Sequence, residues 1–330
     1  MSASSGSEPS GGAFPAEVDG RITHGAFLLL DKPRGPSSHQ VTAWAREIVG
    51  VDKAGHAGTL DPNVSGLLWV GLGPALKLLP LLLDFPKEYV AVITLHGSAP
   101  TKEVERVVGE FVGPIYQLPP VRSAVRRERR IRTVHRLTLV ERDPTHLLLD
   151  VVADSGTYVR TLAVDLGEAL GVGAHMEELR RIGTGPFTEA QSVPLTTLAD
   201  AAMRARSGSS AALLELLHPL HEVVREFPSL VLKEGAASAI VHGANLASGG
   251  VRSVTRPFPK GAHVALLAAS GDFLGFGSAL VPSDEFHAHR HGWVVRCERV
   301  LARPTDYPPA WRGPKTTAAA GSKEAPGERP

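Results

Sequence analysis

Residues 67 to 85 read LLWVGLGPALKLLPLLLDF. An apolar run of this length either crosses a membrane or is buried in a protein core. A bilayer core of about 30 Å takes about 20 apolar residues in helical form. Lys77 stands in the middle of the run, however, and Pro74 and Pro80 interrupt it. The run therefore reads as a buried strand, Leu67 to Leu72, followed by a helix with Pro74 in its first turn. No membrane association is expected. A chain of 330 residues with 43% hydrophobic and 21% charged residues has material for a real core, and its length predicts two domains.

The ends differ from the middle. Residues 1 to 22 are rich in Gly, Ser, Pro and Ala and predict a disordered tail, and residues 305 to 330 predict a segment that is largely disordered. The first residues have neither a basic start nor an apolar stretch, so no signal peptide is expected. Cys297 is the one cysteine, which excludes an intramolecular disulfide and fits a reducing, cytoplasmic setting. In the alternating run WVVRCERV it reads as a small packed residue. GAFLLLDKP, EYVAVITLHG, RTVHRLTLVERD and HLLLDVVADSG predict strands; SSHQVTAWAREIVG and YVRTLAVDLGEALG predict helices. In the second helix Val159, Leu162, Ala163, Leu166, Ala169 and Leu170 form one apolar face, and Gly171 is the stop. The irregular alternation predicts an α+β domain rather than a doubly wound one. After a loop over residues 205 to 212 comes ALLELLHPLHEVVREF, a helix that Pro219 breaks. Beyond Pro228 the texture changes to short strands with Gly-rich turns and one short helix, EGAASAIVHGA, a small β-rich module.

The chemistry concentrates in GHAGTLDP, residues 55 to 62. Gly55 and Gly58 are expected to open backbone angles closed to other residues, and Pro62 to stiffen the chain after Asp61. A carboxylate presented from a constrained turn follows, although an Asp that bonds only its own turn would look the same. Arg160, at the start of the second helix, would favour the ionised carboxylate if the two meet. Tyr89 at the start of a strand reads as core or as a stacking platform for a nucleobase. VRSAVRRERRIRTVHR, residues 121 to 136, carries seven arginines against Glu128 alone, while the whole chain has a net charge of only +1. This run reads as a phosphate-contact surface, through Arg122, Arg126, Arg127, Arg129, Arg130 and Arg132; intramolecular ion pairing is the other reading. His287, His289 and His291 read as an exposed loop rather than a metal site.

Taken together, these motifs resemble a known family. GHAGTLDP is similar to the catalytic-aspartate motif of pseudouridine synthases of the TruB class. LLLDKPRGPSSHQV, KEYV and GTYVRTLAVDLGEALGVGAHMEELRR resemble three more of its motifs, in order. YQLPPVRSAVRRERRIRTVHRL, LKEGAASAIVHGANL and DYPPAWRGPK look like its archaeal and eukaryotic dyskerin branch, the catalytic subunit of H/ACA guide-RNA particles. The resemblance implies a pseudouridine synthase domain with a mixed, largely antiparallel sheet over residues 23–226 and a small β-barrel PUA RNA-binding domain over 227–304. It implies Asp61 as the catalytic aspartate, Arg160 as its partner and Tyr89 against the target base, with His56 near the flipped nucleotide and Lys32 and Leu179 lining the site. Two departures stand out. LRRIGTG has Ile182 and Gly183 where that branch has a third arginine, and the Lys-rich tail of eukaryotic members is not seen, which points to an archaeal-type protein.

The expected function is isomerisation of uridine to pseudouridine in RNA, with rRNA the expected substrate and tRNA a second candidate, guided by H/ACA RNA and without cofactor or metal. The expected partners are guide RNA, substrate RNA and three small particle proteins, with no homo-oligomer. A stand-alone tRNA enzyme of the same class is one alternative, disfavoured by the short ITLHGSAPTKEVERVVGEFVG. A non-catalytic RNA scaffold is another, disfavoured by the intact set of Asp61, Tyr89 and Arg160.

Overall fold

The structure is a computed structural model that describes residues 13–118, 128–286 and 292–308. It divides into two compact units, after Glu226. The first contains strands β1 (Ala26–Lys32), β2 (Ala54–Ala57), β3 (Ser65–Leu72), β4 (Lys87–Leu95), β5 (Gly113–Gln117), β6 (Arg130–Arg142), β7 (His146–Ala153), β8 (Ala174–Thr184), β9 (Phe187–Thr188) and β10 (His218–Pro219). Its helices are α1 (Ala16–His24), α2 (Ser38–Val49), α3 (Leu79–Leu82), α4 (Thr101–Glu110), α5 (Val159–Ala169), α6 (Leu195–Arg206), α7 (Ala211–Leu216) and α8 (Leu220–Val224). The strands form one mixed sheet in the order β10-β1-β3-β8-β4-β7-β6-β5, with β2 on β3 and β9 on β8. The β3–β8 pairing is parallel and short, from Ser65↔Arg180 to Gly66↔Arg181; the other pairings of this sheet are antiparallel.

The run at 67–85 is a buried strand, as its sequence predicts. It continues as a 3-10 turn over Gly73–Leu78, with Pro74 in the first turn, and then as α3. No helix among the described residues is long and apolar enough to cross a membrane. Two hydrophobic cores stand out in the first unit. One gathers Leu28, Leu30, Val41, Ala45, Leu68 and Val70 with α6. The other gathers Ala91 and Ile93 of β4 and Leu147, Leu149 and Val151 of β7 with Leu162 and Leu166 of α5.

Helix α2 starts at a capping box. Ser37 Oγ accepts from Gln40 N (3.2 Å), and the Gln40 side chain accepts from Ser37 N (2.8 Å). Such a cap contributes about 1 kcal/mol. Helix α5 buries Val159, Leu162, Ala163 and Leu166, and the chain leaves it through Gly171 at φ +71°, as expected of the stop.

The expected N-terminal tail is corrected over its last part. Residues 16 to 24 form α1, because Phe14, Val18 and Ile22, four residues apart, pack on the first core. The Arg206 guanidinium also lies 4.5 Å from the Phe14 ring centroid, and Arg21 donates to Leu217 O at 2.6 Å. Strand β8 and helices α4 and α6 were not expected from the sequence. In β8, Arg180 and Arg181 interrupt the alternation that would mark a strand.

The second unit has β11 (Ser229–Leu232), α9 (Glu234–Val241), β12 (Leu246–Ala247), β13 (Val251–Val254), β14 (His263–Leu267), β15 (Phe273–Ala279) and β16 (Trp293–Val300). Its sheet runs β12-β16-β15-β14-β11-β13 around a core that includes Leu230, Ile240, Leu266, Leu274 and Val295. The C-terminal segment is ordered at its start. Tyr307 donates to Asp272 Oδ2 (3.1 Å), and Ser238 Oγ donates to Pro308 O (2.9 Å).

Candidate active site

GHAGTLDP runs from within β2 into the loop before β3, and that loop is gripped from below by contacts to its backbone. Lys32, at the end of β1, is fully buried, and its Nζ donates to the carbonyls of Pro33 (2.9 Å), Pro62 (3.2 Å) and Val64 (2.7 Å). Ser38, at the start of α2, donates to Leu60 O and accepts from Leu60 N, both at 2.9 Å. Gly35 N donates to Pro62 O at 2.8 Å. These contacts explain why LLLDKPRGPSSHQV and GHAGTLDP occur in one chain: the first holds the second. Gly58 has φ +68°, and a Cβ there would stand 3.0 Å from Arg181 Nη1. Gly55 does not have the expected unusual backbone. A Cβ there would lie 3.1 Å from Leu79 Cδ1, a tight contact that the leucine side chain would have to relieve.

The loop leaves the Asp61 side chain half exposed, where Oδ2 meets Arg160 Nη2 at 2.9 Å. Arg160 is the second residue of α5. The start of that helix is fixed by the buried Gln117, whose amide donates to Tyr158 O (3.1 Å) and accepts from Tyr158 N (2.9 Å).

Tyr89 lies on β4 directly opposite Arg181 on β8, and the two side chains are hydrogen-bonded. Arg181 is buried; its Nε donates to Leu67 O at 2.7 Å, and its Nη2 has no protein partner among the described residues. Burial pulls its guanidinium below the ordinary value, against the opposing effect of Tyr89. Lys87, two residues before Tyr89, is buried and donates to the carbonyls of Leu82 (3.0 Å), Leu83 (3.0 Å) and Phe85 (2.6 Å). Burial, and then the charge of Arg181, bring it down to about 7, while Asp84 acts the other way. Burial also lowers Lys32, with Asp61 opposing.

Asp61, Arg160, Tyr89 and Leu179 therefore line one cleft of about 360 Å³, together with Thr59, Lys87, Met176 and Arg181. That volume suits a small flat ligand, since ligand pockets start at about 300 Å³. Lys32 does not line it; it lies beneath the loop. His56 lines two neighbouring hollows instead, and only Thr59 is shared by all three. Burial, then His39 and Arg181, lower the His56 imidazole. Sequence reasoning missed Lys87, Arg181, Gln117 and Thr59. The signal for the first two was a cation inside an otherwise strand-like run.

Of the arginine run, Arg129 and Arg130 are exposed, whereas Arg132 is half-buried against the turn at Gly156. Arg136 is ion-paired with Glu88 and with Asp150, so at that position the intramolecular reading holds. Arg122, Arg126, Arg127, His287, His289 and His291 lie outside the described residues.

Comparison with known proteins identifies the family. Residues 46–159 match the TruB family pseudouridylate synthase N-terminal domain, residues 160–225 the tRNA pseudouridylate synthase B C-terminal domain, and residues 228–301 the PUA domain. A probable tRNA pseudouridine synthase B of Pyrobaculum calidifontis is 44% identical over 288 residues, 87% of this chain and 86% of that protein. A chain solved in a Cbf5–Nop10–Gar1 complex superposes with a TM-score of 0.82 at 37% identity, over 92% of this chain and 93% of that one. A chain from an H/ACA particle bound to a substrate RNA containing 2′-deoxyuridine superposes with a TM-score of 0.78 at 36% identity, over 93% and 94%. The chain belongs to the TruB family of pseudouridine synthases, on its archaeal dyskerin-like branch, and isomerises uridine to pseudouridine in RNA.

Proposed function

We propose that this chain is the catalytic subunit of a cytoplasmic guide-RNA particle, in which a guide RNA selects the uridine and three small proteins complete the assembly. The observation that carries this reading is the overlap, along more than nine-tenths of the chain, with proteins solved in H/ACA assemblies. The connection from β4 to β5 supports it: it holds only the ten-residue helix α4, with no long arm to grip a tRNA. A guide-independent tRNA activity is the second reading, favoured by the names of the archaeal relatives.

In the reaction the C1′–N1 bond of uridine breaks, the uracil rotates, and a C1′–C5 bond forms. The proton lost from C5 is balanced by one gained on N1. Asp61 supplies the carboxylate, Arg160 orients it, and Tyr89 packs against the base once it has left the stack, which costs a few kcal/mol. Leu179 and Met176 give the base an apolar bed. His56 acts beside the cleft rather than in it, Lys32 acts through the loop, and Arg129, Arg130 and Arg132 contact phosphates.

The test is pseudouridine formation in synthetic rRNA fragments and in tRNA transcripts, with and without a matching guide RNA and the small proteins. Product that requires the guide supports the particle reading. Equal rates on tRNA without any guide would replace it with the second.

A further inference from the structure

Thr59 stands two residues before Asp61, and its hydroxyl is the end of a chain of polar groups. Thr42 Oγ1 donates its one proton to Ser38 O at 2.7 Å. Its contact with His56 Nδ1, at 3.0 Å, must then be one in which it accepts, so Nδ1 carries the imidazole proton. A neutral imidazole has one donor and one acceptor nitrogen, so Nε2 accepts. Its neighbour at 3.3 Å is Thr59 Oγ1, which therefore donates to it. The surroundings keep the ring neutral. His39 sits edge-on at 4.7 Å between ring centroids, Arg46 lines the same hollow from α2, and Arg181 adds a positive charge from β8.

The consequence is a fixed polarity. With its proton directed at His56, Thr59 has only lone pairs left for the cleft that it lines with Asp61 and Tyr89. Resting on the isomerase reading of this cleft, we propose that Thr59 is a specificity-determining residue whose hydroxyl oxygen accepts a hydrogen bond from the target nucleotide, either from its ribose 2′-hydroxyl or from uracil N3–H. A pyrimidine with an acceptor at that ring position, as in cytosine, would meet lone pairs with lone pairs.

The experiment is a cycle between protein and substrate. Thr59→Val keeps the shape and removes the hydroxyl; Thr59→Ser keeps the hydroxyl. Both are assayed, beside the wild type, on RNA carrying uridine, 2′-deoxyuridine or N3-methyluridine at the target, with kcat/KM and RNA affinity as readouts. Thr59→Val is expected to lose about tenfold in kcat/KM on uridine, or ~1.4 kcal/mol, while Thr59→Ser stays within about threefold. On one of the two modified substrates the wild type should lose a similar factor and Thr59→Val should lose little more; that substrate identifies the donor. Full additional losses for Thr59→Val on both modified substrates would overturn the proposal, as would wild-type rates on uridine. If the wild type forms no pseudouridine in any unmodified RNA, the isomerase reading itself fails and takes the proposal with it.

Discussion

The floor and the rim of the cleft both carry charge, and they use it in opposite ways. Lys87 and Arg181 form the floor, with Lys32 beneath the loop; they are 4%, 2% and 0% exposed, and each donates to the backbone. Asp61 and Arg160 form the rim, with side chains 49% and 38% exposed, and they face each other. Lys32 and Lys87, whose donors are taken up by carbonyls, have little left for substrate and fix the backbone; Arg181 does so through Nε and keeps Nη2 without a protein partner among the described residues. An exposed ion pair adds little to stability and remains free to meet a ligand. Substitutions on the floor should therefore act on folding first, and those on the rim on turnover.

The largest effect tests the rim. Asp61→Asn is nearly isosteric, so the chain should melt within a few degrees of wild type and bind RNA about as tightly. Turnover should fall at least about a thousandfold, or ~4 kcal/mol of barrier. Turnover within tenfold of wild type would remove Asp61 from the chemistry.

Next comes the support beneath the loop. Lys32→Met leaves the carbonyls of Pro33, Pro62 and Val64 without their buried donor. A loss of about 2–4 kcal/mol in unfolding free energy is expected, read from denaturant midpoints. A variant that keeps wild-type stability but loses turnover would move Lys32 to the rim and break the comparison.

The third effect separates turnover from stability at one residue. Arg160→Met should cost about 10- to 100-fold in kcat, some 1.4–2.7 kcal/mol, because the carboxylate loses its orienting partner. Its effect on unfolding should stay within about 1 kcal/mol, since both partners are solvated. A stability loss of several kcal/mol would show that this pair belongs with the buried floor and not with the rim.

The rim was more legible in the sequence than the floor, for a physical reason. Asp61 and Arg160 sit in turn and helix-start contexts with Gly and Pro around them, and local constraint of that kind is written in neighbouring residues. The partners of Lys32, of Lys87 and of Arg181 Nε are backbone carbonyls, which every residue possesses and no motif spells. That Lys32 supports the loop from 30 residues away follows only from the antiparallel pairing of β1 with β3. In the same way, α1 was hidden by the Gly- and Ser-rich residues before it, and the ion pairs of Arg136 depend on β7 lying beside β6 and β4 next beyond it. The β-rich module beyond Pro228 was legible because its short strands and Gly turns are local signals.

The smallest effect examines the floor through pH. Lys87 titrates near 7 in the folded chain, from burial first and Arg181 second. In the unfolded chain it regains an ordinary value near 10.4. Between those values the unfolded chain binds more protons at this residue, so its contribution to stability rises with pH. Below about pH 7 both states are protonated and the contribution is flat. From pH 7 to 9 the wild type should gain about 2 kcal/mol relative to Lys87→Met, measured as the difference between their denaturation curves at each pH. Arg160→Met should track the wild type across the same window, since it leaves Lys87 and its three carbonyls untouched. A pH-independent difference between wild type and Lys87→Met would mean that the three carbonyls hold the ammonium charged despite its burial, and that the floor is built from hydrogen bonds strong enough to outweigh desolvation.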